Sequence, residues 1–204
     1  MSESCCNLDH RALRSEQRRV LKLVLSINIA TFLMVVVAAW YSGSTSLLSG
    51  GLDNFGDALT YALSLAVVTG SQRAKSRVAL FKSLLILIAA AAVAARIAWG
   101  IANPSVPIVE AMSGAALLNL GANLVCLRLL TPYRHGDINM ASAWECSRND
   151  VYEGVAVLAA SASVWFFNSG WPDLIIACAL LLLFLRSGVR VFRASMRSYS
   201  DAAA

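Results

Sequence analysis

Apolar residues fall along this chain in six long blocks, separated by short polar connections. The windows 20–41, 45–70, 78–101, 107–130, 139–167 and 172–195 are each mostly apolar. A helix of ~20 such residues crosses the ~30 Å of hydrocarbon in a bilayer. The connections at 42–44, 102–106 and 168–171 hold no Lys or Arg, whereas those at 71–77 and 131–138 do. The pattern predicts an all-α integral membrane protein, a six-transmembrane-helix bundle. It divides the chain into an N-terminal arm (1–19), one transmembrane domain (20–197) and a short tail (198–204). The first apolar block is too long for a cleavable leader, and a basic arm precedes it.

Charge placement adds an orientation. Arg11, Arg14, Arg18, Arg19 and Lys22 precede or open the first block, and Arg186, Arg190, Arg193 and Arg197 close the last. Basic residues stay on the cytoplasmic side of membrane helices. With an even number of crossings, both termini and both basic loops are expected in the cytoplasm. Trp40, Tyr41, Trp99, Trp165, Phe166, Phe167 and Trp171 gather at the opposite ends, as an interfacial belt does. The composition agrees: 58% hydrophobic and 14% charged, against roughly 25% charged in soluble domains. The formal charge of +5 therefore reads as helix flanks in contact with a lipid bilayer, and no nucleic-acid partner is expected. The expected location is the cell membrane, multi-pass, and the inner membrane if the chain is bacterial.

Two segments break the apolar pattern. "GGLDNFGDAL" (50–59) places Asp53 and Asp57 four residues apart on one helix face. Ser46, Ser49, Gly50, Thr60, Tyr61 and Ser64 continue that small, polar stripe. Small residues alone would suit helix packing, but buried carboxylates need cations, protons or partners. "SAWECSRNDVYEG" (142–154) supplies a second stripe of Ser142, Glu145, Cys146, Asn149, Asp150 and Glu153, with Arg148 on the far side. Cys146 and Asp150 repeat the spacing of Asp53 and Asp57. Spans two and five cross in opposite directions, which suggests two three-helix halves of inverted topology. Two facing helices with two ligands each form a four-ligand cage. Three carboxylates and a thiol suit a tetrahedral divalent ion such as Zn²⁺, and the thiol favours softer ions including Cd²⁺. Mg²⁺ and Ca²⁺ prefer more oxygen ligands.

With these residues in place, the chain resembles the cation diffusion facilitators, proton-coupled exporters of zinc and related divalent ions. The resemblance covers roughly residues 20–195. It implies a six-helix membrane protein that forms a homodimer. It also implies a transport site of two residues from helix two and two from helix five, here Asp53, Asp57, Cys146 and Asp150. The expected function is efflux of Zn²⁺ and/or Cd²⁺ by metal/proton antiport, with the metal as substrate, no resident cofactor and no enzymatic activity. The chain departs from the family in several ways. Cys146 stands where His or Asp is common, and Glu153 where a small or amide residue often stands. The loop 71–77 has no metal ligands. A short form without the family's cytosolic C-terminal domain is expected.

The remaining ionisable residues receive smaller roles. Glu153 and Glu145 are candidates for a proton or ion pathway. Cys5, Cys6 and His10, with Asp9, form a possible metal-capture arm or an incidental tail. Lys82 can snorkel, and His135 reads as a solvated loop residue. Arg96 and Glu110 lie symmetrically about Asn103 and are expected to pair within a helix three–four hairpin. Asp173, beside Pro172, suits the start of span six. Cys126 and Cys178 read as inert core thiols. Two other functions compete. One is a membrane metal sensor or scaffold that transports nothing. The other is an intramembrane aspartyl protease, for which the required GxGD motif is replaced by Asn54-Phe55-Gly56-Asp57.

Overall fold

The computed structural model describes the backbone of residues 3–67, 72–135 and 138–201, and the side chains of 15–62, 84–135, 140, 143–186 and 189. Among the described residues there are six long helices and no strand: α1 (Glu3–Ser42), α2 (Thr45–Val67), α3 (Gln72–Ala102), α4 (Val109–Leu130), α5 (Ile138–Phe167) and α6 (Trp171–Asp201). A 3₁₀ turn at Thr131–Tyr133 follows α4. The order and positions match the apolar blocks. The outer helices are longer than those blocks: α1 starts at Glu3 and α6 runs to Asp201. Hydropathy marks only the part of a helix that lipid can bury. The arm contains neither Gly nor Pro, so nothing in it stops the helix.

Four stretches among the described residues are long and apolar enough to cross a membrane: Ser15–Ser42, Leu84–Ala102, Val109–Tyr133 and Ala143–Phe167. Their outward faces are greasy, with Leu33, Val37, Ile88, Leu117, Leu118, Trp165 and Phe166 all exposed. Lipid satisfies such a surface, and helices satisfy their own backbone groups within it. The interior is built from small and medium side chains. Ala39, Leu47, Met112, Ala115, Ala116, Val157 and Ala160 form one cluster, joining α1, α2, α4 and α5. Leu52, Ile86, Ala90, Val93, Ala177 and Phe184 form another, joining α2, α3 and α6. Small residues allow the close backbone approach on which helix association in lipid depends.

α2 is the hub, packing against α1, α3, α5 and α6. The other packed pairs are α4 with α5 and α1, α3 with α6, and α5 with α6. At the end of the bundle where α1 meets α2, Gly43 turns the chain at φ 73°, a left-handed conformation that glycine adopts without strain. Its N–H bonds back to the Ala39 carbonyl at 2.9 Å. At the same end the link 103–108 lies across the bundle, and the Ile108 N–H donates to the Ser42 carbonyl at 2.8 Å. Gly170 approaches the Ser105 carbonyl so closely that a Cβ would collide with it.

This link corrects the expected Arg96–Glu110 pair. α3 and α4 are not a packed pair, so no tight hairpin brings the two residues together. Glu110 is exposed. Arg96 instead donates from Nη2 to the Gly43 carbonyl at 3.1 Å, where the negative end of α1 receives a cation favourably.

Asp173 also acts beyond its own helix. It is 1% exposed and reaches the first turn of α2. Its carboxylate accepts from the Thr45 N–H at 2.6 Å, the Ser46 N–H at 3.1 Å, and the hydroxyls of Ser44 and Ser46 at 2.7 and 2.6 Å. The unsatisfied donors of α2 are thus capped from α6. Ser49 Oγ adds a bond to the Ala177 carbonyl at 3.1 Å. Together these bonds clamp α2 onto α6.

Candidate metal site

α2 and α5 are in direct contact, and their polar stripes face one another across a cavity of about 600 Å³. Asp53 and Asp57 from α2, and Cys146, Asp150 and Glu153 from α5, all line it. Asp57 and Asp150 are 8% and 5% exposed, and Asp53, Cys146 and Glu153 are half-buried. Tyr61, one turn beyond Asp57, donates its hydroxyl to Asp57 Oδ2 at 2.8 Å. The same hydroxyl lies 3.4 Å from the Ala143 carbonyl on α5.

The carboxyl groups of Asp53 and Glu153 lie within hydrogen-bonding reach of each other. Carboxylates in contact at low dielectric repel strongly, so this contact calls for a proton or a cation. Asp53 Oδ2, Asp150 Oδ2 and Glu153 Oε2 are buried, and no N–H or hydroxyl of the described residues donates to them. Each unmet buried acceptor costs roughly 1–3 kcal/mol, and more when charged. Among the described residues, no three Asp, Glu, Cys or His side chains converge tightly enough to hold an ion as they stand. The donors share one cavity but are not drawn into a closed cage.

The other charged residues near the site take up positions around it. Arg148 lies over the Trp144 ring, 5.2 Å from its centroid. Arg186 of α6 lines the cavity, although by sequence it reads only as a basic flank. Glu145 is exposed and does not line the cavity. His135 is exposed and accepts from Arg134 Nε at 3.0 Å. The side chains of Cys5, Cys6, Asp9, His10, Ser64, Lys82 and Ser142 lie outside the described residues.

Three buried amides stand beside the acids without belonging to either set of expected ligands. Asn54 Nδ2 donates to Asn119 Oδ1 at 2.7 Å, tying α2 to α4. Asn123, one turn beyond Asn119, is 1% exposed, and its Oδ1 has no partner. The pattern that marks the α4 pair is "NLGANL" (119–124), two amides at i,i+4 spacing in an apolar helix.

A family model describing the cation efflux transmembrane domain matches residues 21–198, which includes α2 and α5 entire. The chain belongs to the cation efflux family. It is a multi-pass membrane protein. Among characterised relatives, it is 26% identical over 171 residues to the metal cation efflux system protein CzcD of Cupriavidus metallidurans. It is equally similar to the cation efflux system protein CzcD of an Alcaligenes species. Each match covers 78% of this chain and 54% of the relative, so the chain spans about half the length of these relatives. In this cation efflux domain, the α2–α5 cavity is where acidic side chains from two helices meet.

Proposed function

We propose that the protein exports divalent metal cations, Zn²⁺ and/or Cd²⁺, in exchange for protons. Asp53, Asp57, Cys146 and Asp150 are the ligands in this reading. The observation that carries it is the single cavity of about 600 Å³ lined by all four residues from two facing helices. Three oxygens and one sulfur suit a tetrahedral ion of borderline or soft character. Ligands must shed protons to bind metal, so uptake of the ion releases protons and acid displaces it. In the proposed cycle, the deprotonated site takes metal from the cytoplasm. The α2–α5 contact then rearranges, and protons from the far side release the ion. The reading includes six crossings, both termini in the cytoplasm, a homodimer and residence in the cell membrane.

The test is flux into proteoliposomes holding the full chain, with a panel of divalent metals and an imposed pH gradient. Uptake of Zn²⁺ or Cd²⁺ that accelerates with an acidic lumen, and is lost in Asp53→Ala and Asp150→Ala, is expected. Metal binding without flux would reassign the protein to sensing. Flux indifferent to the pH gradient would remove proton exchange.

A further inference from the structure

Asn54 stands between the two acids of α2, directly after Asp53 and before Asp57. One residue step turns a helix by about 100°, so the amide leaves α2 in a different direction from Asp53. Asp53 and Asp57 line the cavity shared with α5. Asn54 does not line it, and its Nδ2 donates to Asn119 Oδ1 of α4 at 2.7 Å. Both amides are buried, Asn54 at 1% and Asn119 at 8% exposed. Among the described residues, α2 and α4 are not a packed pair. The bond therefore ties α2 to a helix that its backbone does not lie against.

The other sides of α2 are smooth. Gly51 faces Val35 of α1, Gly50 faces Val157 of α5, and Gly56 faces Phe184 of α6. Hydrogen in place of a side chain allows close approach, but it supplies no ridge or knob to fix the rotation of α2 about its own axis. The Asp173 carboxylate holds Thr45 and Ser46 in the first turn of α2, roughly two turns before Asn54. At the level of the acids, the Asn54–Asn119 bond supplies the rotational restraint that glycine packing does not.

We propose that Asn54 and Asn119 are positioning residues for the metal site: their bond fixes the rotation of α2 and keeps Asp53 and Asp57 turned toward Cys146 and Asp150. The proposal rests on the reading that these four residues hold the transported ion. Neither amide touches the ion. A buried amide pair suits the task for two reasons. Opening it leaves a donor and an acceptor unmet where no water replaces them, so the bond resists rotation. Both groups are neutral, so they restrain α2 without a cation that would compete for the carboxylates. Without the bond, Asp53 and Asp57 turn together with α2, while Cys146 and Asp150 stay in place on α5.

The experiment titrates Cd²⁺ into the purified full chain in nanodiscs by calorimetry and follows thermal unfolding of the same samples. The variants are Asn54→Leu, Asn119→Leu, the two together, and Asn119→Asp. Each single Leu variant strands one buried amide, so melting temperature and affinity both fall, the affinity by about tenfold. The double Leu variant removes both polar groups and keeps a similar shape, so the melting temperature is regained. Its Cd²⁺ affinity is expected to stay about tenfold below wild type. Asn119→Asp keeps an oxygen that accepts from Asn54, and any charge it carries attracts the cation. Its affinity is expected to equal or exceed that of wild type. Affinity that recovers together with melting temperature in the double Leu variant would overturn the positioning role and leave the bond as packing alone. So would an affinity in Asn119→Asp as low as in Asn119→Leu, and this comparison decides the matter if the double variant does not fold. Cd²⁺ binding that is absent in wild type, or unchanged in Asp53→Ala, would overturn the ligand reading itself and the positioning role with it.

Discussion

Tyr61 holds Asp57 from one turn away on α2, its hydroxyl 2.8 Å from Oδ2, and the same oxygen stands 3.4 Å from the Ala143 carbonyl on α5. One phenol thus orients a carboxylate at the cavity and touches the opposing helix. Tyr61 is 2% exposed, so the bond is shielded from water. Tyr61→Phe removes a charge-assisted bond worth roughly 1.5–3 kcal/mol and preserves the ring. The expected result is a fall of about tenfold in metal affinity with normal membrane insertion. Calorimetric titration of Zn²⁺ or Cd²⁺ into the purified variant checks it, and unchanged affinity would mean that Asp57 needs no such orientation.

Asp173 is expected to matter for stability and not for metal choice. Asp173→Ala strips an acceptor from two hydroxyls and two N–H groups at the start of α2. A loss on the order of 3 kcal/mol follows, because buried donors are left unmet. Thermal unfolding in detergent reads this directly. A melting temperature like that of wild type would show that water replaces the carboxylate. The ratio of Cd²⁺ to Zn²⁺ uptake is expected to stay constant.

Charge reversal separates two accounts of Arg96. An Arg96–Glu110 pair would let Arg96→Glu with Glu110→Arg recover what either reversal loses. The bond from Arg96 to the Gly43 carbonyl predicts otherwise: Arg96→Glu is harmful, Glu110→Arg is nearly silent, and the double variant is as poor as Arg96→Glu. Expression and monodispersity in detergent report the outcome, and recovery in the double variant would restore the ion pair.

Cys146 is expected to set the preference between ions. A thiolate favours soft ions over an imidazole, and it must lose a proton to bind. Cys146→His keeps four ligands, so Zn²⁺ transport persists while the Cd²⁺ to Zn²⁺ ratio falls. Cys146→Ala weakens both, Cd²⁺ more. Initial uptake rates of the two metals in vesicles decide this. An unchanged ratio in Cys146→Ala would move the fourth ligand to Glu153, which lines the same cavity.

By itself the sequence determined the helices and the stripes. Apolar blocks of membrane-spanning length leave the backbone little choice but helix, and i,i+4 spacing puts Asp53 with Asp57, and Cys146 with Asp150, on single faces whatever surrounds them. Which helices touch was not legible, because chain neighbours need not pack: α3 turns from α4 to α6, and α4 reaches back to α1. Only that tertiary choice sends Arg96 to Gly43, gives the Asp173 carboxylate to α2, and brings Asn119 and Asn123 from α4 behind the acids of α2 and α5. A residue's spacing along its own helix is local geometry. Its partner across the bundle depends on how small residues let the helices approach in lipid, and no pattern within one segment records that.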